Sequence, residues 1–301
     1  MGFLILAVLC SSSIALCFSW STKYKTSWSW ILAINYFIAF STGLLFVILK
    51  PPVFTYLPIP LAFEEILTSL SKNVVLSAGS SLQFSILIGI IGGFLFFWSF
   101  YLYQKSITAN GASLSGTFAK LGVLVPLILS LVIWRVLPTN LQWIGITCTL
   151  FSILLLYTKD TSKFHISYSL VFLLISMGLA EFNNKIFQQY ANYSFKNFYL
   201  CILFFTALLF ALFAEWKRKT PFRKQEVFFG IVIGITNFFS SFFLIKALTL
   251  LPATIVFPIF SSGSIVIITT CSIIFLKEKI SSKIFLSILF SIIGVILMSI
   301  M

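Results

Sequence analysis

The sequence predicts an all-α integral membrane protein: ten transmembrane helices arranged as two inverted five-helix repeats. Three observations lead there. First, the 301 residues are 59% hydrophobic and only 9% charged, and the 36 phenylalanines outnumber the 20 Lys and Arg and seven Asp and Glu taken together. A soluble domain carries about 25% charged residues, and disordered chains are polar and poor in aromatics, so neither class fits. Second, ten apolar runs are long enough to span at roughly 20 residues each, which leaves no room for a soluble enzyme domain. Third, the second half repeats the first at a consistent offset.

The first run, 2–20, has no basic residue before it, and Lys23 and Lys25 follow it. That order is the reverse of a signal peptide, so the run is kept as the first helix. Leu9 before Cys10 argues against lipidation. The second run is 30–49. The gap 51–83 opens Pro51-Pro52, includes Pro58 and Pro60, and holds a short surface helix at 61–70 with Glu64 and Glu65. The remaining runs are 84–103, 113–134, 141–157, 167–187, 198–215, 227–246, 254–276 and 284–300.

Charge sorts by loop. Thirteen of the 20 cations fall in the odd gaps, most densely at 217–224 (KRKTPFRK). The positive-inside rule therefore places the odd gaps in the cytoplasm and both termini outside. The net charge of +13 then records orientation and implies no nucleic acid. His165 is the single histidine, too few for a metal site or most triads. Cys10, Cys17, Cys148, Cys201 and Cys271 lie in apolar runs without CxxC spacing and read as small core residues. The sequence implies no cofactor.

The repeat is read from position. Gly89-x-x-x-Gly93 recurs as Gly230-x-x-x-Gly234 at an offset of 141, and 106–140 lies over 248–282 at 142. Upstream, Lys23 and Asn35 match Lys185 and Asn197 at 162. The offsets differ by about 21, which is also how much longer gap 51–83 is than its counterpart 216–226. One insertion explains both. Each half, 1–157 and 167–301, holds five helices, and five is odd, so the second half enters the membrane from the opposite side. Inverted repeats are a common architecture of secondary transporters, with the substrate site near mid-membrane at the repeat interface.

The stretch from Ala247 to Lys283, ALTLLPATIVFPIFSSGSIVIITTCSIIFLKEKISSK, resembles the closing part of an EamA-type protein of the drug/metabolite transporter superfamily. The pattern is a small-residue helix, a helix ending at a turn with Phe275, Lys277, Glu278 and Lys279, and a final helix. Its first-half counterpart runs from Ser106 to Leu141, with Val132 to Arg135 at the turn. The resemblance covers nearly the whole chain as two repeats and is silent on substrate. Arg135 and Val136 stand where the family often has Glu. External termini also depart from the many members that keep theirs in the cytoplasm.

Ionisable groups within spans are costly and mark function by default. Lys120, in the fourth run between Thr117 and Gly122, is a candidate cavity cation for a carboxylate or phosphate; the alternative is a lysine snorkelling from a helix end. Glu181, Asn184, Lys185 and Gln188 share one helical face. Glu181 and Lys185 are expected to pair, either as a gate or coupling site, in which Glu181 takes a proton or exchanges partners with Lys120, or as a structural salt bridge. Asn183 points elsewhere, toward a neighbouring helix. Gly89, Gly93, Gly230 and Gly234 read as close helix packing. Ser113, Ser115 and Thr117 lie opposite Ser261, Ser262 and Ser264 across the repeat, and Ser262 matches Lys120. Pro258 is a hinge candidate. Trp98, Tyr101, Tyr103 and Asn237 are weaker cavity candidates, the aromatics reading equally as interface anchors.

These features point to a secondary transporter in the inner or plasma membrane, working by alternating access as a monomer or homodimer. No GxxxxGK[ST] occurs, so energy comes from a proton or substrate gradient. Two interior lysines against one acid favour an anionic or zwitterionic metabolite. A non-transporting receptor or scaffold subunit remains the alternative. An intramembrane enzyme is the weaker rival, because Glu64 and Glu65 lie outside the spans without histidine.

Overall fold

A backbone crossing hydrocarbon must satisfy its hydrogen bonds within itself, so long apolar runs fold as helices. The computed structural model describes residues 1–24, 26–53, 57–110, 112–135, 137–157, 168–276 and 282–299, and every regular element among them is helical. The helices are α1 (Gly2–Lys23), α2 (Trp28–Leu49), α3 (Ile59–Lys72), α4 (Ala78–Asn110), α5 (Ala112–Leu121), α6 (Leu124–Trp134), α7 (Asn140–Tyr157), α8 (Tyr168–Tyr190), α9 (Lys196–Arg218), α10 (Lys224–Leu248), α11 (Ala253–Leu276) and α12 (Ser282–Ser299). Five stretches are long and apolar enough to cross a membrane: Trp28–Leu49, Ala78–Ser106, Tyr168–Tyr190, Tyr193–Arg218 and Lys224–Leu248. Shorter apolar stretches run Gly2–Phe18, Phe118–Trp134 and Ala253–Ile268. His165 and the turn at 277–279 lie outside the described residues.

One expected helix is two. The run 113–134 breaks between α5 and α6 at Gly122 and Val123. Pro126 explains the place, because it has no N–H for the carbonyl four residues back, which is that of Gly122, and its ring crowds that oxygen. The Gly122 carbonyl instead accepts from Val125 N at 3.0 Å, and Val123 N turns back to Lys120 O at 3.3 Å.

Small residues set the closest helix contacts. A Cβ on Gly93 would lie 2.4 Å from the Leu203 carbonyl oxygen, so α4 meets α9 backbone to backbone. A Cβ on Gly234 would lie 2.6 Å from the Asn35 carbonyl oxygen, where α10 meets α2. Gly89 and Gly230 stand at the same kind of close contact, against Ile202 and Ile34. Elsewhere α2 packs on α9, α7 on α12, α1 on α10 and α11, and α8 on α4, α5 and α6. Tyr36, Phe187, Tyr199, Phe204 and Phe238 fill the main core, while Leu45, Phe172, Leu209 and Phe213 face outward. The five cysteines are free thiols.

Hydrogen bonds outside the helical ladders tie the bundle together at both ends. At one, Glu226 Oε1 accepts from Ser27 N at 2.6 Å, and the Ser27 hydroxyl meets that of Thr220 at 2.8 Å. Thr220 in turn donates its amide to Glu215 at 2.8 Å. At the other, Leu76 N donates to Tyr190 O at 2.9 Å and Asn192 N to Ser81 Oγ at 2.9 Å.

Candidate functional site

The break between α5 and α6 shapes the site. Lys120 lies in the last turn of α5, where the exposed carbonyls of a helix C-terminus favour a cation. Its backbone carbonyl, partly released by the break, accepts the Ser261 hydroxyl of α11 at 2.9 Å. Gly178 of α8 makes room, since a Cβ there would lie 2.3 Å from the Gly122 carbonyl oxygen. The Lys120 ammonium donates to Ser11 Oγ of α1 at 3.0 Å and stands 5.7 Å from the centre of the Phe260 ring. Four helical segments (α1, α5, α8 and α11) therefore converge on one cation.

Glu181 of α8 is the opposing charge, and the two groups interact electrostatically. Both are partly buried and keep part of their surface accessible. Glu181 Oε2 accepts from Asn184 Nδ2 at 3.4 Å. Asn184 Oδ1 accepts the Tyr199 hydroxyl at 2.9 Å, and that oxygen accepts from Asn183 Nδ2 at 2.8 Å. Asn183 also donates to the Ile88 carbonyl at 3.1 Å, so a buried polar chain joins Glu181 to α9 and α4. Gly92 permits it, because any Cβ there would overlap the Asn183 amide. Asn183 thus reaches neighbouring helices, as expected from its place on the wheel.

The expected Glu181–Lys185 pair is not formed. The Lys185 ammonium turns toward the end of α8, donates to Gln188 and to Gln189, the latter at 3.0 Å, and lies 5.2 Å from the Trp134 ring centre. Each charge has partners of its own: the acid interacts with Lys120 and accepts from Asn184, and the lysine donates to two amides. Gln188 accordingly belongs with Lys185 and apart from Glu181.

Other candidates fall elsewhere. Ser262 donates to Pro258 O at 2.7 Å and is fully buried in α11, so Ser261 is the residue of that helix that reaches Lys120. Pro258 does not break α11, which runs unbroken from Ala253. The carbonyl that Pro258 deprives is that of Thr254, one turn from the helix start, where little chain need bend. Asn237 donates to Asn35 Oδ1 at 3.2 Å and joins α10 to α2. Trp98 is 40% exposed and stacks on Phe94; Tyr101 packs 5.5 Å from Trp28, which lies under Arg218. These aromatics form an outer cluster, the arrangement of interface anchors. Tyr103 packs edge-on against Phe18. Ser115 is bonded to Ser106 at 2.7 Å, and the side chains of Ser113 and Thr117 lie outside the described set.

Sequence reasoning missed Ser11, Tyr199 and Phe260. Ser11 had a signal in the run Ser11-Ser12-Ser13, three hydroxyls inside an apolar segment. Tyr199 and Phe260 had none, being aromatics among aromatics.

One solved structure superposes on this chain with a TM-score of 0.66 at 12% identity, covering 98% of this chain and 94% of its own, a likeness of fold alone. No curated protein matches the chain. Residues 166–300 match the EamA-like transporter family. The second half of the chain is therefore similar to the EamA-like transporter family, which is part of the drug/metabolite transporter superfamily.

Proposed function

We propose that the chain is a secondary transporter that moves a small anionic or zwitterionic metabolite by alternating access, coupled to protons or to exchange. Ten spans in a cell membrane, in two inverted repeats (1–157 and 167–301), complete this reading. The observation that carries it is the opposition of Lys120 and Glu181 at a broken helix, with partly accessible surface between deep elements. A carboxylate or phosphate entering there competes with Glu181 for the ammonium. The displaced Glu181 then takes a proton or leans on Asn184, which links cargo binding to a change of charge. Phe260 supplies an apolar wall beside the cation.

Packing supports the repeats. α4 closes on α9 through Gly89 and Gly93, and α10 closes on α2 through Gly230 and Gly234, as two copies related by a pseudo-two-fold axis would. The α2–α9 and α7–α12 contacts then pair equivalent helices. No nucleic acid is a partner in this reading, and the protein works as a monomer or homodimer.

Purified protein in liposomes, screened against labelled metabolites, tests the reading. Lys120→Ala and Glu181→Gln are expected to slow transport of the accepted metabolite by roughly 10- to 100-fold, the loss of one charge-assisted contact. Normal rates in both variants would overturn the site.

A further inference from the structure

The end of the bundle where α9 begins holds a second group of cations, on side chains other than Lys120 and unused by the proposed cycle. Lys196 opens α9 and is only 6% exposed. Its ammonium donates to the Tyr193 hydroxyl at 2.7 Å, lies 3.2 Å from the centre of the Phe242 ring and 4.6 Å from that of Tyr193. Lys246, in the last turn of α10, lies 4.8 Å from the centre of the same Tyr193 ring and 5.8 Å from that of Phe3. Lys50, the C-cap of α2, completes the group. The charges that act on Lys196 are those of Lys246 and Lys50, both positive. A buried ammonium facing two others is costly, and aromatic faces offset only part of that cost. The arrangement becomes favourable once an anion sits among the three.

Phe3 belongs to a second feature. With Met1, Gly2, Ile5, Leu6 and Leu250 it lines an open apolar crevice of about 530 Å³. Phe3, Leu6 and Leu250 are 38%, 41% and 59% exposed, on the outward face of the bundle. A cationic niche and an apolar crevice thus share one side chain. An anionic group attached to a hydrocarbon chain fits both, whereas a soluble anion fits only the first.

We propose that this end of the protein binds one anionic phospholipid, its phosphate held by Lys196, Lys246 and Lys50 and an acyl chain laid in the crevice along Phe3, Leu6 and Leu250. Basic pockets between membrane helices hold headgroups in this way. The site lies about 33 Å along α9 from Arg218, at the opposite end from the basic stretch 217–224. It is therefore distinct from the attraction of basic loops to a charged membrane surface. It goes beyond the transport reading and stands or falls separately from it.

Native mass spectrometry of the full chain in mild detergent, with phosphatidylglycerol or phosphatidylcholine added, tests it. The wild type should retain one phosphatidylglycerol at a concentration where phosphatidylcholine is lost. The double variant K196Q/K246Q should weaken that retention at least about tenfold. Leu250→Trp, which fills the crevice and leaves every lysine in place, should weaken it as well. Should K196Q/K246Q fail to fold, K50Q/K246Q and Leu250→Trp decide. Equal retention of the two lipids, or wild-type retention by the variants that fold, would overturn the proposal. Displacement of phosphatidylglycerol by an equal concentration of inorganic phosphate would also overturn it, since it would leave the crevice without a role.

Discussion

Two acids, Glu65 and Glu181, meet the same difficulty in different ways. Glu65 stays ionised by gathering donors: it accepts the Ser77 amide at 2.6 Å, the Ser77 hydroxyl at 2.8 Å and the Ser80 hydroxyl. Desolvation pushes its carboxyl up, but these three hydrogen bonds outweigh it, and its pKa lies below the ordinary 4.5. The folded state therefore favours the carboxylate. That stabilisation is whole at neutral pH and is lost as pH falls below 4.5 through the lower folded value. Hydrogen-exchange protection at 77–81 is expected to drop across that interval in the wild type and to be flat in Glu65→Gln; identical profiles would refute the tie. Glu181 instead sits opposite a cation with one amide donor, a poise that suits exchange of partners. Lys120 and Glu181 were legible in the sequence because charge within an apolar run is conspicuous. The swap of Lys185 to Gln188 and Gln189 was not, since helical spacing permits both pairings and only the third dimension supplied Lys120 as the competitor.

At the scale of elements, among the described residues the predicted apolar runs are helical apart from the turn at 122–123, and the surface helix expected at 61–70 is α3. Periodicity and length were enough for that. Helix ends were less legible: α3, α6 and α9 stop at Asn73, Arg135 and Lys219 with φ of 53°, 50° and 51°. Two of these are long basic residues that composition does not mark as left-handed caps. The break in the fourth run had its cause in plain view as Gly122 and Pro126. Pro258 drew the hinge assignment because it stands inside a longer apolar run. What matters is the carbonyl a proline deprives: that of Gly122 is mid-run beside a poor helix former, that of Thr254 is near a helix start. Pro126→Ala restores the missing donor. It is expected to straighten α5 onto α6 and cut transport several-fold, with a thermal midpoint equal to or above the wild type. Unimpaired transport would remove the break from the mechanism.

At the scale of the whole molecule, the ties at the two ends join residues between helices (Ser27, Leu76, Asn192 and Thr220) to helical ones, and sequence pattern is weakest between helices. Helix packing fixes which ends lie together, while the loop charges supply the expectation for which end faces the cytoplasm. Lys219, the cap of α9 within the basic stretch, reports on this. A Lys219→Cys protein in intact cells is expected to resist an impermeant thiol reagent from outside; rapid labelling would invert the topology. The broken α5–α6 faces an unbroken α11 across the site, so one member of the pair is jointed and the other is a stiff rod. A machine with one elbow does not swing alike in both directions. In the proposed transport cycle, equal and opposite gradients should drive unequal initial fluxes, although both reverse at the same equilibrium point. The molecule would behave as a kinetic rectifier, and Pro126→Ala, by removing the elbow, should bring the two fluxes closer together.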